Sequence, residues 1–305
     1  MSSRRARRPC RRGDLGPSRR WRRSRRDRAK LPPWFFGGPK LPSRRGDHEV
    51  EAWLLSPSMT VYLAHGTSFC SGVWRPVVDG LDGIPCVAWD FPGHGAGPSL
   101  ELPVDWRTFG EYVLSVTEPG GVGVGHSMGA AALTMAQLAD PGRFRFLVLI
   151  EPIILPGPRR PLEHPVITVA SNRRRVFDSR QRAKEKFVGR EPFSRWHPAA
   201  LDGYLDCGFV GEGPVELACS PELEAEIYRA STLHDTWDRL GEVEIPVLIL
   251  GGEESDPIPP DLVRSQAARF PRAGVEIVPG VGHFLPMEKP ELVAERIRRV
   301  AVTVG

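Results

Sequence analysis

The chain has 305 residues, 41% hydrophobic and 26% charged, the balance of a globular protein long enough to bury a core. No run of eighteen apolar residues occurs, which predicts no transmembrane span. The five cysteines, Cys10, Cys70, Cys86, Cys207 and Cys219, are odd in number, widely spaced and free of any C-x-x-C. They predict neither a zinc site nor a disulfide framework, but reduced thiols and a cytoplasmic setting.

The net charge of +4 hides an asymmetry. Residues 1–45 hold fifteen Arg, two Lys and two Asp, a net of +15, so the remainder carries −11. This leader is rich in Arg and Pro and poor in aliphatics, and is expected to be disordered. It has three readings: a charged tail for nucleic acid or anionic surfaces, an organellar transit peptide, or an extension from a misplaced start. Met59 opens a natural strand start and favours the last.

The body then alternates apolar runs with helical patterns. Strands are predicted at Thr60–Ala64, Pro85–Asp90, Gly121–Gly125, Phe144–Ile150, Pro246–Leu250 and Val275–Val278. Helices are predicted at Ala130–Ala139 and, along the stripe Leu292, Val293, Ile297 and Val300, from Lys289 to Val300. Unbroken apolar strands with helices between them imply a parallel sheet covered on both faces. The rhythm breaks over residues 153–243, where helical patterns lie near Ser179–Val188 and Pro221–Ala230 and no strong strand run occurs. That span is too long for a bare loop and is expected to be a helical insertion, giving a core of residues 46–152 and 244–305.

The chemical signal is Gly125-His126-Ser127-Met128-Gly129, between a strand and a small-residue helix. A serine at such a turn is held with its hydroxyl above the sheet edge, and the helix start aims amides at a developing oxyanion. Serine needs a base, and His283 follows a strand in Pro279-Gly280-Val281-Gly282-His283-Phe284. The base needs an acid. Asp256, in the loop after Pro246–Leu250, completes the order Ser, acid, His, while Glu253, Glu254 and Glu151 stay open as rivals. Oxyanion donors are expected at the N–H of Met128 and, from the turn His65-Gly66-Thr67-Ser68, at Thr67.

The ordered set His65-Gly66, Asp90-Phe91-Pro92-Gly93-His94-Gly95, Gly125 to Gly129, Gly252 to Asp256 and Gly282 to Pro290 resembles the α/β-hydrolase superfamily over roughly Val61 to Val300. The resemblance implies an eight-stranded, mostly parallel sheet flanked by helices, with a helical cap inserted after the sixth strand. It implies no metal or organic cofactor. One departure stands out. Members space the acid loop as Gly-x-x-Asp, and that register falls on Ser255, one residue before Asp256. A serine rather than an aspartate in the elbow points to acyl chemistry. The leading expectation is hydrolysis of a small, partly apolar ester or related acyl compound through an acyl-enzyme on Ser127. A lyase or carbon–carbon hydrolase with the same triad is the alternative, and a non-enzymatic ligand receptor on this fold is the reading from another class.

Overall fold

The computed structural model describes residues 59–304; the Arg-rich leader lies outside them. Six strands form one sheet: β1 (Val61–Ala64), β2 (Cys86–Trp89), β3 (Gly121–His126), β4 (Phe144–Ile150), β8 (Val247–Gly252) and β9 (Ala273–Val278). Their order is β2-β1-β3-β4-β8-β9, and every pair is parallel. All six are the strands that the apolar runs predict. The eight implied by resemblance are not reached among the described residues.

Alternation along each strand sends side chains to two cores. Val61, Leu63, Val122, Val124, Val148, Ile150, Leu248 and Leu250 face one side. There they meet Val77 of α1 (Arg75–Asp79) and Val293, Ala294, Ile297 and Val300 of α11 (Pro290–Val304). Tyr62, Ala64, Leu147, Leu149, Val247 and Ile249 face the other, packing on Phe109 and Val113 of α2 (Arg107–Val116), Leu133 and Ala136 of α3 (Met128–Ala139) and Val263 of α9 (Pro260–Arg269). The chain runs from β1 outward to β2, then back across β1 to β3. In open α/β sheets such a reversal marks the place, at the carboxyl ends of the strands, here β1 and β3, where ligands bind.

Between β4 and β8 lie α4 (Pro165–Ser171), β5 (Val176–Phe177), α5 (Arg180–Phe187), α6 (Pro198–Cys207), β6 (Phe209–Val210), β7 (Val215–Leu217), α7 (Pro221–Ala230) and α8 (Thr236–Arg239). The strands here form a small antiparallel sheet, β5-β7-β6, which the sequence reading lacked. At two or three residues each, they are too short to carry a periodic signal. Proline opens α4, α6 and α7 at the first turn, and the side chains of His164, His197 and Ser220 cap them.

The insertion is fastened to the sheet domain beside the turn after β1. A disulfide joins Cys70 to Cys207 at the end of α6, across a sequence separation of 137. This corrects the expectation of reduced thiols for Cys70 and Cys207, while Cys86 and Cys219 are free: spacing along the chain reveals nothing about partners that far apart. The cytoplasmic assignment thereby loses its thiol argument, because disulfides persist in oxidising compartments. Next to the bond the backbones touch. A Cβ on Gly203 would sit 1.9 Å from the Gly72 oxygen, so only glycine permits the approach. Arg195 clasps the far loops, bonding Glu254 at 2.8 Å, Glu288 at 3.0 Å and the Gly280 carbonyl at 2.5 Å. A short helical turn, α10 (Leu285–Glu288), lends its Met287 carbonyl to the His197 N–H at 2.7 Å. No helix among the described residues is long and apolar enough to cross a membrane.

Candidate active site

Ser127 stands between β3 and α3 with φ 55° and ψ −116°, a conformation that L-residues rarely adopt. The turn survives because its neighbours have no side chains to clash. A Cβ at Gly125 would lie 2.6 Å from the Ala130 nitrogen, and one at Gly129 would lie 2.3 Å from the Ala64 oxygen. The Ser127 N–H donates to the Ile150 carbonyl at 2.9 Å, tying the elbow to the end of β4.

His283 comes from the loop between β9 and α10, and its Nε2 lies 3.1 Å from Ser127 Oγ. Its Nδ1 lies 3.0 Å from Glu151 Oε2. With Nδ1 carrying its proton toward the carboxylate, Nε2 is left as the acceptor of the serine hydroxyl. His126 secures this loop. Buried and held neutral chiefly by desolvation, it donates from Nε2 to the His283 carbonyl at 2.9 Å.

The carboxylate that reaches His283 is therefore Glu151, not Asp256. Asp256 is exposed and takes no part in the relay. The physical reason is the strand order. β4 lies between β3 and β8, so its carboxyl end abuts both the elbow and the Gly252–Ser255 loop. Glu151, at φ 52°, turns its side chain back into that junction. There it is fully buried. Its Oε1 accepts the Gly252 N–H at 2.5 Å, and Oε2 accepts the Ser255 hydroxyl at 2.5 Å. Glu253 Oε2 instead caps the Gly280 N–H at 3.1 Å, and Glu254 belongs to the Arg195 clasp. The sequence weighed Glu151 but missed Gly252 and Ser255 as its donors. The one available signal was Ser255 standing where an aspartate is customary.

Burial opposes charge on both partners. It holds the His283 imidazole down from 6.5 to about 4. It pushes the Glu151 carboxyl up from 4.5 to about 8, against the hydrogen bonds of Ser255 and Gly252. A neutral imidazole beside an ionised carboxylate would carry one net negative charge in a dry place. Donors to that carboxylate therefore matter more than they would in water.

The loop after β1 brings up the other expected residues. Met128 opens α3, where first-turn amides have no intrahelical acceptor. Thr67 is buried, 5% exposed. Gly66 lets its loop lie against the elbow: a Cβ there would be 3.1 Å from Ser127 Cβ. Asp90 ties this loop to the one after β2, accepting from the N–H of Ser71 at 2.6 Å and of Ala96 at 2.8 Å. Cys70, Cys207 and Asp90 come within 4.8 Å of one another, but the two sulfurs are bonded together and so are not thiolate ligands for a metal. Beyond the loop, Phe69 packs edge-on to Trp196, Tyr204 and Phe284 at centroid distances of 5.2, 5.6 and 5.8 Å. An aromatic wall thus runs from the insertion to the elbow.

Known proteins share this architecture. The chain is 24% identical over 260 residues to the uncharacterized hydrolase YugF of Bacillus subtilis, covering 78% of this chain and 88% of YugF. It is 27% identical over 218 residues to the abhydrolase domain-containing protein AFT2-1 of Alternaria alternata, covering 58% and 80%. Among solved structures, the peroxisomal alpha-beta-hydrolase Lpx1 of Saccharomyces cerevisiae superposes with a TM-score of 0.71 at 19% identity, over 81% of this chain and 77% of Lpx1. A thermophilic esterase of Thermogutta terrifontis does so with 0.59 at 21% identity, over 81% and 90%. Residues 61–296, from the first strand to the last helix, match the alpha/beta hydrolase family, and the chain belongs to it.

Proposed function

We propose that this protein hydrolyses a small carboxylic ester or related acyl compound through an acyl-enzyme on Ser127, with His283 as general base and Glu151 as the acid that orients it. The observation that carries the reading is the unbroken relay: Ser127 Oγ to His283 Nε2 at 3.1 Å, and His283 Nδ1 to Glu151 Oε2 at 3.0 Å. Ser127 Oγ attacks the acyl carbon while Nε2 takes its proton. The N–H groups of Met128 and Thr67 receive the oxyanion, and the imidazolium returns the proton to the departing alcohol. Water then repeats the sequence on the acyl-enzyme and frees the acid. No step needs a metal or an organic cofactor.

Residues 153–243 serve as a cap over the carboxyl ends of the strands, and the ring cluster of Phe69, Trp196, Tyr204 and Phe284 supports a partly apolar acyl group. The test is covalent. A fluorophosphonate is expected to label Ser127, and Ser127→Ala to lose both the label and turnover of a p-nitrophenyl ester panel. Full turnover in Ser127→Ala refutes the assignment. A panel that fails on esters while a dione is cleaved moves the reaction to carbon–carbon hydrolysis.

A further inference from the structure

We infer that Ser255 is a positioning residue for this relay: its hydroxyl holds the Glu151 oxygen that receives the His283 Nδ1–H, and by holding it keeps the carboxylate aimed and favours its ionised form. The inference rests on the proposed roles of Ser127, His283 and Glu151.

The argument is geometric. Two donors converge on one atom, Glu151 Oε2: the Ser255 hydroxyl at 2.5 Å and His283 Nδ1 at 3.0 Å. The other oxygen is committed to the Gly252 N–H at 2.5 Å. Removing Ser255 Oγ would leave Oε2 with the imidazole alone and free the carboxylate to turn about the Oε1 contact. Ser255 is itself fixed. It is 5% exposed, and its backbone N–H donates to the Gly252 carbonyl at 3.3 Å. The Ile258 N–H reaches Ser255 Oγ at 3.4 Å and acts as a donor to it, leaving the hydroxyl proton for Glu151.

The groups that face the carboxylate come from neighbouring loops. Gly252 and Ser255 approach from the β8 loop and His283 from the β9 loop. His126 stands beside His283, with ring centroids 5.0 Å apart, and is neutral. Among the described residues no Lys or Arg is recorded as a partner of Glu151, so its ionisation leans on neutral donors. Losing one of two such donors raises the proton affinity of the carboxylate. Because the working form of the pair is the one that has shed this proton, the acid limb of the rate profile must rise with it.

The experiment is the pH dependence of kcat and KM for a p-nitrophenyl ester, with thermal melts, on the full chain, Ser255→Ala, Ser255→Thr and Ser127→Ala. Ser255→Ala is expected to lose about ten- to a hundredfold in kcat with KM changed less than about threefold, and to move the acid limb up by about one pH unit. Ser255→Thr, which keeps the hydroxyl, is expected to bring the limb back. A Ser255→Ala profile that falls uniformly with an unmoved limb shows a merely structural role and overturns the proposal, as does an unchanged profile. Turnover surviving in Ser127→Ala sinks the underlying reading and the proposal with it. A dead Ser127→Ala beside an unmoved Ser255→Ala limb sinks the proposal alone.

Discussion

Replacing Glu151 with glutamine removes one acceptor from a site that needs three hydrogen bonds accepted on two oxygens. Oε1 takes the Gly252 N–H and Oε2 takes both Ser255 and His283 Nδ1. Glutamine has a single oxygen. If it stays on the fixed backbone N–H, its amide nitrogen faces His283 and donates to Nδ1. The ring proton then moves to Nε2 and points at Ser127, the tautomer that cannot act as a base. Loss of the correct tautomer in a serine–histidine–acid relay costs about 10⁴ in kcat, or ~5.5 kcal/mol at about 1.4 kcal/mol per decade. Asp256→Asn, at an exposed position, is expected to stay within about twofold of the parent. The assay is steady-state hydrolysis of a p-nitrophenyl ester at pH 8.5 with fluorophosphonate titration of active sites. A Glu151→Gln enzyme within tenfold of the parent, beside a collapsed Asp256→Asn, would refute the assignment of the acid.

Stability and pH supply further tests. Closing a loop of sequence separation 137 restricts the unfolded chain by about 5 kcal/mol in the chain-entropy account. Dithiothreitol, or Cys70→Ser with Cys207→Ser, is therefore expected to lower Tm by about 10 °C or more. A melt indifferent to reductant contradicts it. Gly203→Ala forces a Cβ onto the Gly72 carbonyl and is expected to destabilise by about 1–3 kcal/mol in urea unfolding. A neutral result would show that the two backbones do not touch. Glu151 binds its proton more tightly folded than unfolded, so its contribution to stability is full below about 4.5 and is lost as pH rises through about 8. His283 has the opposite sense: stability falls as pH drops from 6.5 through about 4. Activity should instead climb with pH across the upper window. Glu151→Gln is expected to flatten the upper slope of Tm, and an unchanged slope removes Glu151 as its source.

The six strands of the main sheet were legible because each is a short, mostly apolar run between turn residues, and β1, β3 and β8 are buried along their whole length. Ser127 was legible because its turn demands small residues at fixed offsets, and His283 because it follows a strand. The acid was not. Glu151 and Asp256 both satisfy the chain order, and which one reaches the imidazole depends on β4 lying beside both β3 and β8. Ser255 in the place of the customary aspartate was the visible trace of that exchange. The Cys70–Cys207 bond and the β5-β7-β6 sheet were hidden for different reasons: one joins remote residues, and the other is too short for any period to show.

The anchorage of α6 limits how a substrate can arrive. A segment bonded through sulfur, pressed backbone to backbone at Gly72 and Gly203, and clasped by Arg195 cannot swing away like a door on its two connections to the sheet. Under the proposed function, admission would then depend on side chains and on the part of the insertion where α4 and α7 pack together. Acyl chains of increasing length should meet a graded fall in kcat/KM, the behaviour of a fixed gauge and not of a gate that is either open or shut.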